Sequence, residues 1–191
     1  HKLMTVKVES EVLRETQLVV CLLFQYAGMS FVDFAHLKER NIKNGILDYN
    51  RQKTGTPMRL EILDTAELMR KELMGDKRPA SGYLFPFLSG TKTGYEAYLE
   101  YIAALSRFNR NLKALKKAAG IASDVTSYTI RHSFAMALKE QNVPIEMISE
   151  LLGHKSIKTT QIYLRSFSLE KMTEVNSTCF GCVYNYVSKV G

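Results

Sequence analysis

No stretch of the chain approaches the ~20 consecutive apolar residues that cross a bilayer, and no basic, then apolar, then small-residue segment opens it. Its best apolar run, Leu18 to Phe24, is bounded by Gln17 and Gln25 and reads as a buried helix. Cysteine is scarce: Cys21, Cys179 and Cys182 are three in number, which does not suit a secreted disulfide framework and favours a reducing cytoplasm. The Cys179-Phe180-Gly181-Cys182 pair has metal-ligand spacing. It lacks a second pair and a neighbouring histidine, so two reduced thiols are the better reading and no metal site is expected. Internal repeats and low-complexity linkers are absent. Acidic residues are the minority, 19 against 26 Lys and Arg, leaving a formal charge of +7. Such an excess favours a polyanionic partner, because basic side chains that neutralise phosphates release condensed counterions. A merely solubilising surface would carry the same excess, so charge alone does not decide.

With 191 residues, 46% hydrophobic and 24% charged, the chain suits one soluble domain with a packed core. Helical spacing predicts a helix over Glu9 to Ala27, capped by Ser10, with Val12, Val19, Leu22, Leu23 and Tyr26 inward and a break at Gly28. A short helix, Phe31 to Glu39, follows, burying Phe31, Phe34, Ala35 and Leu37. The period then changes. Ile46 to Lys53 and Met58 to Ile62 read as a hairpin joined across Thr54-Gly55-Thr56-Pro57. Asp64 is read as the cap of a helix from Thr65 to Met74. Gly75 to Gly94 reads as a long surface loop pinned by Tyr83 to Phe87. A basic amphipathic helix, Tyr95 to Ala119, carries Arg107, Arg110, Lys113, Lys116 and Lys117. Three more helices follow: Ser127 to Gln141, one from Pro144 to Gly153, and one from Ser156 through Arg165. The expected class is α+β, mainly helical, with a small antiparallel β-sheet beside a helical core.

The informative stretch is Thr126 to Phe167. Arg131-His132-Ser133 lies in one helix, Leu152-Gly153-His154 closes another, and Tyr163 falls nine residues after His154, past Thr159-Thr160. In this order and spacing the stretch resembles the catalytic domain of the tyrosine recombinase, or phage integrase, family. Gly28 to Leu37 is similar to that family's first box, and Arg51-Gln52-Lys53-Thr54-Gly55 to the hairpin carrying its catalytic lysine. The resemblance runs from about residue 10 to residue 167, with the flavour of integrases from mobile elements of the Bacteroides group. It implies one catalytic domain over 1–191, with a tail over 168–191, and a helical core-binding domain upstream and outside this chain.

The resemblance also implies a reaction: DNA strand breakage and rejoining through a 3′-phosphotyrosyl link, with no cofactor, ATP or metal. Tyr163 is then the nucleophile. Its phenol, with a reference pKa of about 10, needs a base or a positive field to attack efficiently. Arg131 presents a planar fork of donors to the phosphate oxygens. His154 donates a hydrogen bond or assists proton transfer, and Lys53 protonates the departing 5′ hydroxyl. Two positions depart from the family pattern. Ser30 stands where the first catalytic arginine is expected, and Tyr128 replaces the histidine three residues before Arg131. Arg51 is the candidate substitute, because alternate strand residues share a face and would point Arg51 and Lys53 at one phosphate. Ser30, Tyr128 and His132 are auxiliary candidates; Tyr128 is read equally as packing, and His132 more as a buried core histidine. DNA contact is expected from Arg51, Lys53, Arg131, Lys155 and Thr159.

The implied partners are double-stranded DNA, three further copies of the chain in a tetramer on paired sites from a monomer alone, and DNA-bending or accessory proteins, but no membrane. The implied setting is the bacterial cytoplasm, at the nucleoid. The segment holding Val183, Tyr184, Tyr186 and Val187 is expected to pack on a neighbouring protomer. Two other readings stay open: a DNA-binding protein that has lost catalysis, motivated by Ser30 and Tyr128, and a helix-turn-helix regulator built on the last two helices.

Overall fold

The centre of the fold is a single helix, α2 (Glu11–Gln25), whose residues 16–23 are all buried. The computed structural model describes residues 1–77, 79, 82–164 and 172–173. Before α2 lies a short α1 (Lys2–Thr5), and after it α3 (Phe31–Ala35), a 3-10 turn at Glu39–Asn41, and a sheet of β1 (Ile42–Lys43), β2 (Ile46–Asn50) and β3 (Pro57–Glu61). The rest is helical: α4 (Asp64–Met74), α5 (Gly94–Ala118), α6 (Ser127–Glu140), α7 (Ile145–Leu151) and α8 (Ile157–Tyr163). The sheet order is β1-β2-β3, antiparallel throughout, with Tyr49 opposite Met58 and Leu47 opposite Leu60. The expected mainly helical α+β architecture is therefore the observed one.

Helices α1, α4, α5 and α6 all pack on α2, because α2 is apolar on nearly every side and has to be covered all round. Leu22, Leu23, Tyr26, Phe34, Phe85, Leu112 and Leu115 are almost completely withdrawn from water. Aromatic rings join the layers: Phe34 stacks on Phe85 at 4.1 Å, Phe31 on Phe108 at 4.7 Å, and Phe24 meets Phe134 edge-on at 5.3 Å. Ring pairs at these separations add to simple area burial. The loop pin holds as expected, with Leu84 and Phe85 buried and Tyr83 bridging to Lys38. A second, smaller cluster of Ala135, Ile148, Leu152 and Leu164 ties α6, α7 and the end of α8 together.

Several expectations need correction. Val12 is 52% exposed, because the first turn of α2 lines an open surface groove with Glu15, Pro86 and Phe87. The third helix stops at Ala35 rather than Glu39, where the His36 and Leu37 amides turn back onto the carbonyls of Asp33 and Phe34. Asp64 is the first helical residue rather than the cap. Thr126, paired with Thr129 in a capping box, takes the role assigned to Ser127. Strand β1 and helix α1 are too short to leave a periodic trace in the sequence. The first hairpin strand ends at Asn50, three residues before Lys53. There Arg51 closes a turn, its amide donating to Thr56 O at 2.9 Å and its carbonyl accepting from Gly55 N at 2.8 Å. The tail residues Val183, Tyr184, Tyr186 and Val187, and the Cys179/Cys182 pair, lie outside the described residues.

Candidate active site

The C-terminal end of α7 is where the candidate residues converge. A helix ends with carbonyls that have no intrahelical partner, and here two buried guanidiniums take successive ones. Arg131, on α6, donates through Nη2 to Leu152 O and through Nη1 to Gly28 O at 2.9 Å. Arg51, from the β2–β3 turn, donates through Nη1 to Gly153 O at 3.0 Å. Both side chains are largely buried. One arginine thus anchors the site to the α2–α3 junction and the other to the hairpin, across sequence separations of 103 and 102 residues.

Two glycines make this approach possible. Gly153 has φ +60, and a Cβ there would run into Met58 Sδ and would sit 2.8 Å from Arg51 Cδ. Gly28 has φ +64, and a Cβ would lie 2.9 Å from the Phe134 ring. Both positions need a residue that tolerates the left-handed region and offers no side-chain bulk.

Asp33 organises the hairpin side. Its carboxylate, 1% exposed, accepts Arg51 Nε at 3.4 Å. It also accepts Gln52 N at 2.6 Å and the Ser30 hydroxyl at 2.5 Å. Ser30 in turn caps α3, its oxygen accepting from Asp33 N. Position 30 therefore serves as a helix cap beside the site, and the guanidinium facing Asp33 comes from residue 51. Tyr49 of β2 lies under this cluster. Burial first, and Asp33 second, push its phenol well above the ordinary range, against the pull of Arg51 and Arg131.

His154 follows directly on the two gripped carbonyls. Its Nδ1 is 2.8 Å from Thr160 Oγ1, a side chain fully buried in α8. Desolvation, then the positive charges of Arg131 and Arg51, lower the imidazole to about 4. The ring is therefore neutral at neutral pH. In the tautomer in which Thr160 donates to Nδ1, the ring hydrogen is on Nε2, where it can serve as a donor to an anion. Tyr163 is the last residue of α8, three positions after Thr160.

The structure thus brings Arg51, Arg131 and His154 together. Lys53 stands apart in exposure: its side chain lies on the outside of the turn. The strand-face argument that paired it with Arg51 fails, because both residues lie beyond β2, one buried and one exposed. Tyr128 is 59% exposed in the first turn of α6, one helical turn before Arg131. His132 is half-buried rather than a buried core residue. Lys155 and Thr159 are exposed on either side of the Ser156 cap. Sequence reasoning missed Asp33 and Thr160. The first was readable, since Ser30-x-x-Asp33 is a capping-box pattern; nothing in the sequence distinguishes Thr160 from Thr159. No group of three or more metal-ligating side chains occurs among the described residues.

The model of the phage integrase family matches residues 2–170. This chain belongs to that family. A tyrosine recombinase XerD from Lacticaseibacillus casei is 52% identical over 54 residues, a match covering 28% of this chain and 18% of the relative. The crystal structure of XerA recombinase superposes with a TM-score of 0.62 at 21% identity, covering 91% of this chain and 64% of that one. The Tn1549 transposon integrase in complex with a circular intermediate DNA superposes with a TM-score of 0.63 at 15% identity, covering 88% and 60%. The chain thus spans less than two thirds of each of these proteins. The fold is that of tyrosine recombinase catalytic domains. Among the described residues, no helix is long and apolar enough to cross a membrane.

Proposed function

We propose that this chain is the catalytic domain of a site-specific DNA recombinase that works through a covalent 3′-phosphotyrosyl intermediate. The observation that carries the reading is the pair of buried guanidiniums, Arg51 and Arg131, held on successive carbonyls beside a neutral His154. Buried cations are costly unless they are paired or hydrogen-bonded. A cluster of two, beside an imidazole kept uncharged by burial first and by their charges second, is an anion site built in advance. A DNA phosphodiester is the anion that this family fold and the +7 charge favour.

In this reading the Tyr163 oxygen attacks phosphorus, the phenolic proton leaves to solvent or a base, and the bond from phosphorus to the 5′ oxygen breaks. Lys53 gives a proton to that 5′ oxygen. The reverse attack, by a 5′ hydroxyl of another strand, releases Tyr163 and rejoins the DNA. Arg131 and Arg51 neutralise the non-bridging oxygens as charge develops, and His154 adds a neutral hydrogen bond. Arg51 then supplies from the hairpin the cation that position 30 lacks. A guanidinium on a transferring phosphoryl group can be worth ~10³ to 10⁵ in rate, so Arg51→Ala should cut cleavage severely. Cleavage unchanged in Arg51→Ala, with Lys53→Ala inactive, would remove Arg51 from the site. Lys155, Thr159 and Tyr128, exposed around the cluster, are proposed to hold flanking DNA.

The working assembly in this reading is a tetramer on paired sites in the bacterial cytoplasm, built from a longer protein whose core-binding domain closes on the duplex from the other side. The test is incubation with a suicide DNA site, followed by a denaturing gel. A covalent adduct lost in Tyr163→Phe supports the recombinase. Salt-sensitive DNA binding without adduct supports a binding protein that has lost catalysis.

A further inference from the structure

Helix α8 spans only Ile157–Tyr163, too short to hold a position by its own hydrogen bonds. Its start is fixed by Ser156, whose oxygen accepts from Lys158 N, and its middle by the buried Thr160 against His154. Its end is fixed from another element. Leu164, the residue after Tyr163, puts its side chain into the small cluster with Ala135, Ile148 and Leu152. Its carbonyl accepts a 2.7 Å hydrogen bond from Lys139 Nζ. Lys139 is 9% exposed, and lysine is seldom buried this far without a specific partner. It lies in the last turn of α6, the same helix that carries Arg131.

From this geometry we infer that Lys139 is a positioning residue for the nucleophile: by holding the carbonyl after Tyr163, it fixes the backbone of residue 163 relative to Arg131. The inference rests on the recombinase reading for its consequence, but the clamp itself does not. One rigid helix then carries both the guanidinium for the phosphate and the ammonium that places the attacking residue. A methionine at 139 keeps the packing and loses the donor. An arginine keeps both the donor and the charge.

The test is hydrogen exchange of the whole chain, read on the peptide covering 157–164, together with single-turnover cleavage of a suicide site bearing a 5′-bridging sulfur. That substrate needs no proton on its leaving group, so it isolates placement of the nucleophile from acid catalysis. K139M is expected to speed exchange in the α8 peptide at least ~10-fold with α2 unchanged, and to slow cleavage ~10-fold or more at equal DNA occupancy. K139R is expected to restore both. Wild-type exchange in K139M overturns the clamp, and faster exchange with wild-type cleavage reduces Lys139 to a structural cap and overturns the positioning role. Should K139M lose protection in α2 as well, K139Q takes its place in the same comparison. A wild-type chain that forms no adduct removes the recombinase reading, and the exchange comparison then decides the clamp alone.

Discussion

Replacing Asp33 by alanine tests how the hairpin is joined to the site. The carboxylate is 1% exposed and faces Arg51, itself 8% exposed, at 3.4 Å. Removing it leaves a buried guanidinium whose one remaining hydrogen-bond partner among the described residues is the Gly153 carbonyl, and breaking a buried pair from one side typically costs about 3–5 kcal/mol. The other two partners add little. Gln52 is exposed, so its freed amide can bind water, and the half-buried Ser30 hydroxyl can turn outward. The total expected for Asp33→Ala is therefore about 3–5 kcal/mol, or roughly 6–20 °C in Tm for a chain of this size. Adding Arg51→Met should recover most of the loss, since an apolar pair is often as stable as the ion pair it replaces. Urea unfolding of the four proteins of this cycle gives the coupling directly. A loss below about 1 kcal/mol for Asp33→Ala, or strictly additive losses in the double variant, would refute the buried-pair argument.

Gly153→Ala should cost about 1–3 kcal/mol, from the left-handed backbone and the collision with Met58 and Arg51, and should weaken cleavage more than DNA binding; urea melts and a binding titration check both. Stability should rise with pH between about 4 and 6.5, because the unfolded histidine takes up a proton there while native His154, lowered to about 4, does not. His154→Gln should flatten that slope in pH-dependent melts. Lys53→Ala should abolish cleavage of ordinary DNA yet spare a substrate with a 5′-bridging sulfur; equal loss on both substrates would deny Lys53 the role of acid. The logarithm of DNA affinity should fall by about 0.9 per phosphate contact for each tenfold rise in salt, and Arg51→Ala should lower that slope by about one contact.

How much of this was legible in the sequence depended on range. The long helices announced themselves by periodicity: α2, α5 and α6 lie within about two residues of where their apolar spacing and flanking Ser10, Gly120 and Gln141 put them. Family-spaced Arg131, Gly153 and His154 were equally plain. What could not be read was tertiary. The end of β2 is set by Asp33 holding Gln52 N, a contact 19 residues away, so local strand propensity carried the strand on to Lys53. Local pattern makes Arg51 a strand-face partner of Lys53, whereas its guanidinium is held by the carbonyl of Gly153, a residue 102 positions later. Lys139 carries no sequence signal at all, because its partner is a backbone carbonyl.

The most direct measurement is identification of the covalent bond itself. A suicide DNA site is incubated with the protein, the adduct is digested with protease and nuclease, and the modified peptide is sequenced by mass spectrometry. A nucleotide 3′-phosphate esterified to Tyr163, absent from Arg131→Ala, is the expected result. Modification of another residue, or cleaved DNA bearing free ends and no peptide, would contradict it.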